Sequence, residues 1–291
     1  MITVFTPTYN RKDELINLYK SLLEQEFKDF EWVIVDDGSK DNTEETVKNF
    51  IKENKIKINY YKQGNKGKSL AHNKGVELAQ GEYFVGIDSD DIFTQDALKK
   101  IHKYFEIIKE KSDICGICFL NYKKDTNQII GNEFPQDEMV DTYYNLYHKH
   151  KITGDKEMVF KTKVLKEFPF PIYENEKFVP EALVFNRICK KYSFLCINEP
   201  VIYKKYLIEG YSANYFNLAK KNPRGQMTYY KELYDLEPTN YNIAAYNMYS
   251  IYAKYGFIKT IKEHPAKIKC LAMYIPAYIK YLQKERKKWK K

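Results

Sequence analysis

Strand-like and helix-like segments alternate regularly in the first hundred residues, and this order constrains the fold more than any other feature of the sequence. Four short runs rich in β-branched and aromatic residues are separated by segments with apolar residues at helical spacing. The strand-like runs are Ile2–Phe5, Phe30–Val35, Lys57–Tyr61 and the run that opens at Gly81. Their β-α-β-α-β-α-β order predicts an α/β fold, with a mostly parallel sheet, right-handed crossovers and helices on both faces.

The fourth strand-like run leads directly into three carboxylates, in the sequence Asp88-Ser89-Asp90-Asp91. Residues two apart on a strand point to the same side, so Asp88 and Asp90 would present both carboxylates to one cation while Ser89 faces away. Mg²⁺ and Mn²⁺ are typically held by one or two carboxylates together with substrate phosphates. The pattern predicts a divalent-metal site with a phosphorylated ligand, and a solvated acidic turn is the alternative. A helix is expected to follow, with Thr94 as its N-cap.

The segment Gly64–Ser69 combines glycines, two lysines and the start of a helix, which together favour binding of an anion. Lys68 is therefore a candidate phosphate ligand, with a solvated loop charge as the alternative. The segment is not a P-loop, because that motif needs a glycine five residues before Gly67, where this chain has Lys62. No G-x-G-x-x-G motif follows a strand, so dinucleotide binding is also a weak hypothesis.

The net charge of the chain is positive, and the position of the basic residues indicates which anionic partner they would bind. Lys and Arg number 48 against 39 Asp and Glu, a formal charge of +9, which could serve nucleic acid, an anionic membrane or a phosphorylated substrate. Because the basic excess is concentrated in the C-terminal tail while the predicted sheet edge is acidic, nucleic acid is the weakest of the three.

The last segment, Ile268–Lys291, joins an apolar run to a basic tail that includes Trp289. Lys269 and Pro276 interrupt the apolar run, which is shorter than the ~20 residues of a spanning helix. The segment is either an interfacial helix on an anionic bilayer or a docked helix with a solvated tail.

The cysteines and the N-terminus bear on the compartment. Five cysteines without a metal-type pairing favour a reducing environment. Cys115 and Cys118 match C-x-x-C, but they lie in an apolar strand-like run and are expected to be small core residues. The chain opens directly as a strand, without the features of a signal peptide, so a cytosolic protein is predicted.

Four motifs in this order resemble the family 2 glycosyltransferases, which are inverting nucleotide-sugar enzymes of GT-A fold. They are Pro7-Thr8-Tyr9-Asn10, Val35-Asp36-Asp37-Gly38-Ser39, Asn65-x-Gly67 with Ala71-x-Asn73-x-Gly75, and Gly81-Glu82-Tyr83 leading to Asp88-Ser89-Asp90-Asp91. The resemblance is strong over residues 1 to about 100 and weaker over 101–210. It implies a GT-A catalytic domain with a Rossmann-like sheet over residues 1–210, comprising a nucleotide-binding half (1–100) and an acceptor half (101–210). A helical C-terminal region with a basic tail would follow over residues 211–291.

The resemblance also implies which residues bind the donor nucleotide. Asp37 would hydrogen-bond the uracil, and Asp36 would orient its loop. The residues that would line the nucleotide pocket from the first motif are Pro7, Thr8, Tyr9 and Asn10.

The fourth motif would handle the diphosphate. Asp88, followed by Ser89, would contact the ribose or a metal-bound water, and Asp90 would ligate the Mn²⁺ or Mg²⁺ that bridges the donor diphosphate. Lys68 would assist from the other side. The family often has Arg before the Asn of its third motif; this chain has His72 there, so that role has no counterpart.

Inversion also requires a base that removes the proton of the acceptor hydroxyl. The family draws it from an acidic pair at the start of a helix beyond the metal site. Glu181, after Pro180, stands at the matching place, and Arg187 then falls at the usual spacing. Glu181 is therefore the implied base, and a plain helix N-terminal charge is the alternative. The rival carboxylates are Asp155, Glu174 and Glu176.

As a whole, the resemblance implies transfer of a hexose or N-acetylhexosamine from a UDP-sugar to a glycan acceptor, lipid-linked, in the synthesis of a surface polysaccharide such as a capsule. A sugar nucleotidyltransferase and a basic nucleic-acid-binding protein are the alternatives, and a homodimer is left open. Gly210-Tyr211-Ser212 is expected to belong to a loop that closes over the diphosphate. The crowded C-terminal tyrosines are expected mainly to pack helices, since Tyr246, Tyr249 and Tyr252 fall at helical spacing.

Overall fold

The computed structural model describes residues 1–205 and 215–286, and these form two compact units. Residues 1–170 and 185–205 belong to the first unit, and residues 171–184 and 215–286 to the second. The predicted domain boundary between residues 210 and 211 lies outside the described residues. The second unit also takes in the segment 171–184, which precedes that boundary.

The strands all belong to the first unit. They are β1 Ile2–Thr8, β2 Phe30–Asp36, β3 Lys57–Lys62, β4 Tyr83–Gly86, β5 Ile92–Phe93, β6 Ile114–Lys123, β7 Gln128–Ile129, β8 Met139–Asp141, β9 Glu157–Lys161 and β10 Ser193–Lys204. Its helices are α1 Lys12–Leu23, α2 Thr43–Glu53, α3 Lys68–Leu78, α4 Ala97–Ile108, α5 Tyr143–His148 and α6 Thr162–Glu167. The helix α7, Glu181–Cys189, begins in the second unit and ends in the first.

The ten described strands form one sheet in the order β3-β2-β1-β4-β9-β6-β10-β5, with β7 beside β6 and β8 beside β10. β1 pairs in parallel with β2 and β4, β2 with β3, and β6 with β10. Because β9 pairs antiparallel with both β4 and β6, the strands β1–β4, β6 and β10 all run in one direction. The expected mostly parallel sheet is confirmed.

Helices cover both faces of this sheet. On one face, Val4 and Trp32 pack in a buried cluster with Leu18 of α1 and Phe105 of α4. On the other face α3 approaches so closely that a Cβ added to Gly75 would lie 2.3 Å from the ring of Phe5. A glycine is therefore required at this crossing of helix and strand.

One local prediction was wrong because the backbone pairs with β10 instead of entering a helix. Thr94 is not an N-cap: its N–H donates to the carbonyl of Val201, and α4 starts only at Ala97. The helix α5 starts at Tyr143, directly after Met139–Asp141 pairs with β10 as β8. Thr142 caps that helix, its hydroxyl accepting the N–H of Asn145.

The helices that follow in the second unit are α8 Tyr215–Lys221, α9 Pro223–Leu236, α10 Asn240–Tyr252, α11 Phe257–Glu263 and α12 Lys267–Arg286. The chain breaks between α8 and α9 at Asn222, and Pro223 occupies the first position of α9. Tyr246 and Tyr249 are buried in the core of this unit, so the expected packing role of these tyrosines is confirmed. None of the described helices is long and apolar enough to cross a membrane.

The five cysteines are free and buried. Burial raises the pKa of the Cys115 thiol well above its usual range, which keeps it protonated and unreactive. Cys115 and Cys118 are therefore core residues of β6, as predicted.

Candidate active site

The carboxyl ends of four neighbouring parallel strands carry the motifs. Thr8, Asp36 and Lys62 lie at the same level on β1, β2 and β3, and β4 runs beside β1. The loops that leave these strands are therefore brought to one edge, which is where open α/β sheets bind their ligands.

Asp36 is fully buried at the end of β2 and holds two neighbouring segments. One carboxylate oxygen accepts the N–H of Ser39 at 2.7 Å, and the other accepts the hydroxyl of Tyr60 at 2.7 Å. Burial and this bond to Asp36 raise the pKa of Tyr60. Asp36 therefore holds the turn after β2 through Ser39 and reaches β3 through Tyr60.

Asp37 holds the loop that follows β3. Its Oδ1 accepts the side-chain amide of Gln63 at 2.8 Å and the N–H of Lys66 at 2.7 Å, and its Oδ2 accepts the N–H of Gly67 at 2.8 Å. A carboxylate offers about four acceptor positions. Three therefore fix the loop, and within residues 1–205 and 215–286 no donor takes the second position on Oδ2.

The glycine after this acidic pair is needed for the turn. Gly38 has φ +84°, and a Cβ there would lie 3.0 Å from the N–H nitrogen of Asn65. The close approach of the β2 turn to residues 63–67 therefore depends on a missing side chain.

The loop after β1 is tied to the loop after β2. Asn10 adopts φ +52°, donates its N–H to the hydroxyl of Ser39 at 2.9 Å, and accepts the N–H of Lys40 on its side-chain oxygen at 2.8 Å. The side chain of Tyr9, next to Asn10, is 43% exposed. Pro7 is half-buried within β1.

Thr8, at the end of β1, has a buried polar side chain. Its side chain is 2% exposed, and among the described residues its hydroxyl has no hydrogen-bond partner. Buried polar groups normally have a partner, and among the described residues this hydroxyl at the end of β1 lacks one.

The three aspartates after β4 lie on a turn, because β4 ends at Gly86 and the N–H of Asp91 donates to the carbonyl of Asp88 at 3.1 Å. The expected alternation of side chains along a strand therefore does not apply to Asp88, Ser89 and Asp90, because these residues lie beyond the end of β4. Ser89 is buried, while Asp88 and Asp90 are half-buried.

Each of these three carboxylates has a cationic neighbour. Lys68, the candidate phosphate ligand at the start of α3, has its Nζ 2.8 Å from Asp88 Oδ1. Arg11 Nη1 lies 3.9 Å from Asp90 Oδ2, and Lys204 Nζ lies 3.5 Å from Asp91 Oδ2.

The pKa values of the aspartates diverge in this environment. Burial opposes ionisation of Asp88, but Lys68 and Lys204 outweigh it and lower its pKa. Burial and the charge of Asp88 raise the pKa of Asp90. The pKa of Asp91 is raised to about 6, chiefly by burial and against the pull of Lys204. Asp88 is thus the most acidic of the three.

Lys204 contacts carboxylates of both the acidic turn and β9. Its Nζ lies 3.9 Å from Glu157 of β9 as well as near Asp91, and the N–H of Lys205 donates to Asp91 at 3.0 Å. Burial is outweighed by these carboxylates, so the pKa of Lys204 is raised. Sequence reasoning missed both Lys204 and Arg11; Arg11 directly follows the first motif, whereas Lys204 gave no signal in the sequence.

The carboxylates of the acidic turn fit a hard divalent cation. Across residues 1–205 and 215–286 there is no cluster of three or more His, Cys, Asp or Glu side chains able to hold a metal alone. Asp88 and Asp90 are close enough for the charge of one to raise the pKa of the other. Proteins usually supply one or two carboxylates to a Mg²⁺ site, and substrate phosphates supply further ligands.

The third motif has a structural role. Asn73 both donates to the carbonyl and accepts from the N–H of Phe170, each at 2.9 Å. His72 packs edge-on against the rings of Phe5, Phe84 and Phe170. Where the family often has Arg, this chain therefore has an imidazole in an aromatic cluster.

Glu181 is the first residue of α7, exposed, and belongs to the second unit. Among its rivals, Glu176 accepts the N–H groups of Arg224 and Gly225 at 2.8 and 3.1 Å, at the start of α9. Glu176 is thus occupied as a helix cap. Glu174 and Asp155 are exposed. Gly210-Tyr211-Ser212 lies outside the described residues.

A mostly parallel α/β sheet with an acidic turn and an anchored loop at the strand ends defines a GT-A nucleotide-diphospho-sugar transferase fold. The chain belongs to glycosyl transferase family 2, whose model matches residues 3–168. The predicted family and fold are thereby confirmed.

Relatives and solved structures agree with this assignment. TuaG of Bacillus subtilis (strain 168), whose name assigns it to teichuronic acid biosynthesis, is 35% identical over 123 residues. That match covers 42% of this chain and 46% of TuaG, less than half the length of the relative.

Two solved structures share the fold at low sequence identity. Staphylococcus aureus TarS 1–349 in complex with UDP-GlcNAc has a TM-score of 0.61 at 18% identity, covering 97% of this chain and 91% of that one. The mannosyltransferase PcManGT from Pyrobaculum calidifontis, in complex with GDP-Man and Mn²⁺, has a TM-score of 0.57 at 18% identity, covering 97% and 86%.

Proposed function

We propose that this protein is an inverting glycosyltransferase that moves a hexose or N-acetylhexosamine from a UDP-sugar to a hydroxyl of a glycan acceptor in cell-surface polysaccharide biosynthesis. The observation that carries the proposal is that the anchored Asp37 loop and the acidic turn, with Lys68 between them, belong to one edge of the sheet. TuaG, by its name, and TarS, by its complex with UDP-GlcNAc, support the pathway and the donor.

The donor nucleotide binds at the ends of β1 and β2 in this proposal. The free acceptor position on Asp37 takes the N–H of the uracil, and the exposed ring of Tyr9 lies against the base. The buried hydroxyl of Thr8 supplies a further hydrogen bond. Pro7 and Asn10 shape the pocket, and Asp36 keeps its loop in place.

The acidic turn handles the diphosphate. Asp90, with Asp88 and beside Ser89, would hold Mg²⁺ or Mn²⁺, which neutralises charge on the nucleoside diphosphate as it leaves. Lys68 balances Asp88 at 2.8 Å and offers a cation to the donor phosphates. Arg11 and Lys204 limit the net negative charge that an incoming diphosphate meets.

The base is Glu181 in this proposal. It takes the proton of the acceptor hydroxyl, whose oxygen attacks the anomeric carbon on the face opposite the leaving nucleoside diphosphate. The variant Glu181→Gln keeps the shape of the side chain and removes its basicity. We expect less than about a tenth of the wild-type transfer rate with unchanged UDP affinity, since such catalysis supplies about 10²- to 10⁴-fold.

The matched control is Glu174→Gln, an exposed carboxylate seven residues earlier, which should transfer sugar as the wild type does. If Glu181→Gln kept more than about a tenth of the rate, another group would be the base.

A lipid-linked acceptor would place this reaction at the inner face of the cell membrane, so we propose a cytoplasmic protein that works there peripherally. Nucleic acid is not a proposed partner.

A donor panel tests the function directly. Purified protein with Mn²⁺ is incubated with UDP-glucose, UDP-galactose, UDP-GlcNAc, GDP-mannose and dTDP-glucose, and release of the nucleoside diphosphate is measured. We expect release from one UDP-sugar and loss of that release in Asp90→Asn. Release only from GDP- or dTDP-sugars would refute the proposed nucleotide, and release from none, with or without glycan lipids, would count against a transferase.

A further inference from the structure

The helix α12 carries two apolar faces, of which only one is covered within the second unit. Cys270 and Ala277 are buried in the core cluster of this unit, and Met273 packs against it. The other apolar row consists of Ile268, Leu271, Ile275, Tyr278, Ile279 and Leu282, which are 85%, 50%, 69%, 46%, 51% and 37% exposed. Their spacing of three, four, three, one and three residues puts them on one side of a helix.

The neighbouring helix extends this row. Phe257 at the start of α11 packs edge-on against Tyr274 of α12, with ring centroids 4.8 Å apart. Phe257 and Ile258 are themselves 47% and 75% exposed. We call these two residues together with the six of α12 the α11–α12 patch. Single exposed apolar residues are ordinary on a protein surface, but a continuous row of this length marks an interaction site.

The helix is built to keep this row continuous. Pro276 lies inside α12 but is exposed, as is Ala272, whose carbonyl loses its helical partner there. Water can satisfy that carbonyl, so the proline does not end the helix. The apolar row therefore runs past residue 276 to Leu282.

The charge of the chain is concentrated in the same segment. From Lys254 to the C-terminus there are twelve Lys and Arg against two Glu, a net charge of +10, whereas the whole chain carries +9. The other residues are therefore close to neutral in sum. The lysines at 259, 262, 267, 269 and 280 are exposed on α11 and α12.

We infer that the α11–α12 patch docks on the surface of a bilayer that contains anionic lipids. Apolar side chains enter the boundary between headgroups and acyl chains, and lysines and arginines on the same segment meet the anionic headgroups. A second copy of this chain would bring an equally positive segment against the patch, so charge disfavours it as the occupant. Nucleic acid would use the charge but not the row of aliphatic side chains.

This inference rests on the surface of the second unit, and its one link to the proposed function is that a bilayer is where a lipid-linked acceptor is found. The two can fail separately. Loss of vesicle binding with intact UDP binding would refute only the docking surface, and the converse only the donor site.

Flotation with vesicles tests the docking surface on the full-length protein. The probes are phosphatidylcholine vesicles with and without phosphatidylglycerol, at low and high salt. We expect the wild type to float with the anionic vesicles, to float less at high salt, and to stay largely unbound with phosphatidylcholine alone.

The decisive variant is Ile275→Ser with Ile279→Ser, which keeps every charge and changes two side chains that are 69% and 51% exposed. We expect its partition onto anionic vesicles to fall about tenfold or more, because partition follows the apolar area inserted. The matched control is Ile107→Ser with Ile172→Ser, at 45% and 70% exposure outside the patch, and should bind as the wild type does. Melting curves check that both variants are folded.

Three results would overturn the inference. The wild type could stay unbound with anionic vesicles at low salt. The patch variant could bind as tightly as the wild type, which would leave charge alone as the cause. In sedimentation velocity, a dimer lost only in the patch variant, without vesicle binding, would make a second copy the occupant.

Discussion

The first unit gathers buried carboxylates at one edge of its sheet, whereas the second unit buries single polar side chains between helices. Asp36, Asp37 and Asp91 are 0%, 7% and 4% exposed, and each fixes a loop at the strand ends. In the second unit, Asn247 is fully buried, donates to the carbonyl of Cys270 at 2.9 Å and accepts from the thiol of Cys270 at 3.0 Å.

The surfaces of the two units also differ, in the polarity of the side chains that they expose. Around the acidic turn of the first unit, carboxylates alternate with Arg11, Lys68 and Lys204. On the second unit, the α11–α12 patch exposes a row of aliphatic side chains. Buried polar groups thus fix loops at the strand ends of the first unit, and join two helices in the core of the second. We therefore expect a substitution in either group to affect the stability of its own unit only.

The largest effect is expected at Gly75. Gly75→Val would force a Cβ to within 2.3 Å of the ring of Phe5, which is stacked on Phe84. We expect the first unit to lose about 3 kcal/mol or more of stability. Hydrogen exchange read by mass spectrometry should show faster exchange in β1, β4 and α3, and unchanged exchange in α9–α12.

The control is Gly64→Ala, because a Cβ at Gly64 meets nothing within 4 Å; its effect should stay within about 0.5 kcal/mol. A tolerated Gly75→Val, or equal loosening of both units, would contradict the independence of the two units.

A smaller effect in the other unit is expected from Asn247→Ala. It removes the partner of the Cys270 thiol and the additional hydrogen bond to the Cys270 carbonyl inside a packed core, which costs about 2 kcal/mol. Exchange should rise in α10 and α12, while UDP affinity remains that of the wild type. Asn240→Ala, at the exposed first position of α10, is the control. A loss of UDP affinity in Asn247→Ala would show that the units are not independent.

The smallest effect is a pH dependence carried by His264. This side chain is fully buried, its Nδ1 accepts the N–H of Ala266 at 3.1 Å, and among the described residues its Nε2 has no hydrogen-bond partner. Burial, then the charge of Lys231, lowers the pKa of His264 below 6.5. The unfolded chain therefore takes up this proton first, so stability is full above about pH 6.5 and declines as the pH falls.

Thermal melts from pH 8 to pH 5 measure this decline. His264→Asn retains an acceptor near Nδ1 and does not titrate, so its melting temperature should fall less over the same range. An equal decline in both proteins would assign the pH dependence to other groups.

The parts of the fold that sequence could predict are those set by neighbouring residues. Periodicity was sufficient for β1, β2, β4 and the helices α1 and α2, because these strands are almost wholly buried and each of these helices buries one face. The motif residues at the strand ends followed from this order, since parallel strands bring their carboxyl ends together.

The remaining features depend on contacts between distant residues. Lys204 reaches Asp91 from a strand more than a hundred positions later, and Val201 draws the backbone at Thr94 into the sheet. Asp37 was expected as a nucleotide ligand, yet most of its hydrogen-bonding capacity holds residues 63–67. No local pattern encodes such pairings. Likewise, the sequence of α12 contains two apolar rows, and the sequence alone did not indicate which of them is buried.

The proposed donor site is tested most sharply by calorimetric titration of UDP into the 291-residue chain, with Mn²⁺ and with EDTA, beside Asp90→Asn. We expect binding that requires the metal and is lost in Asp90→Asn. Binding of UDP that is equally tight with EDTA and in the variant would contradict the assignment of the acidic turn. Absence of UDP binding in every condition would contradict the donor site itself.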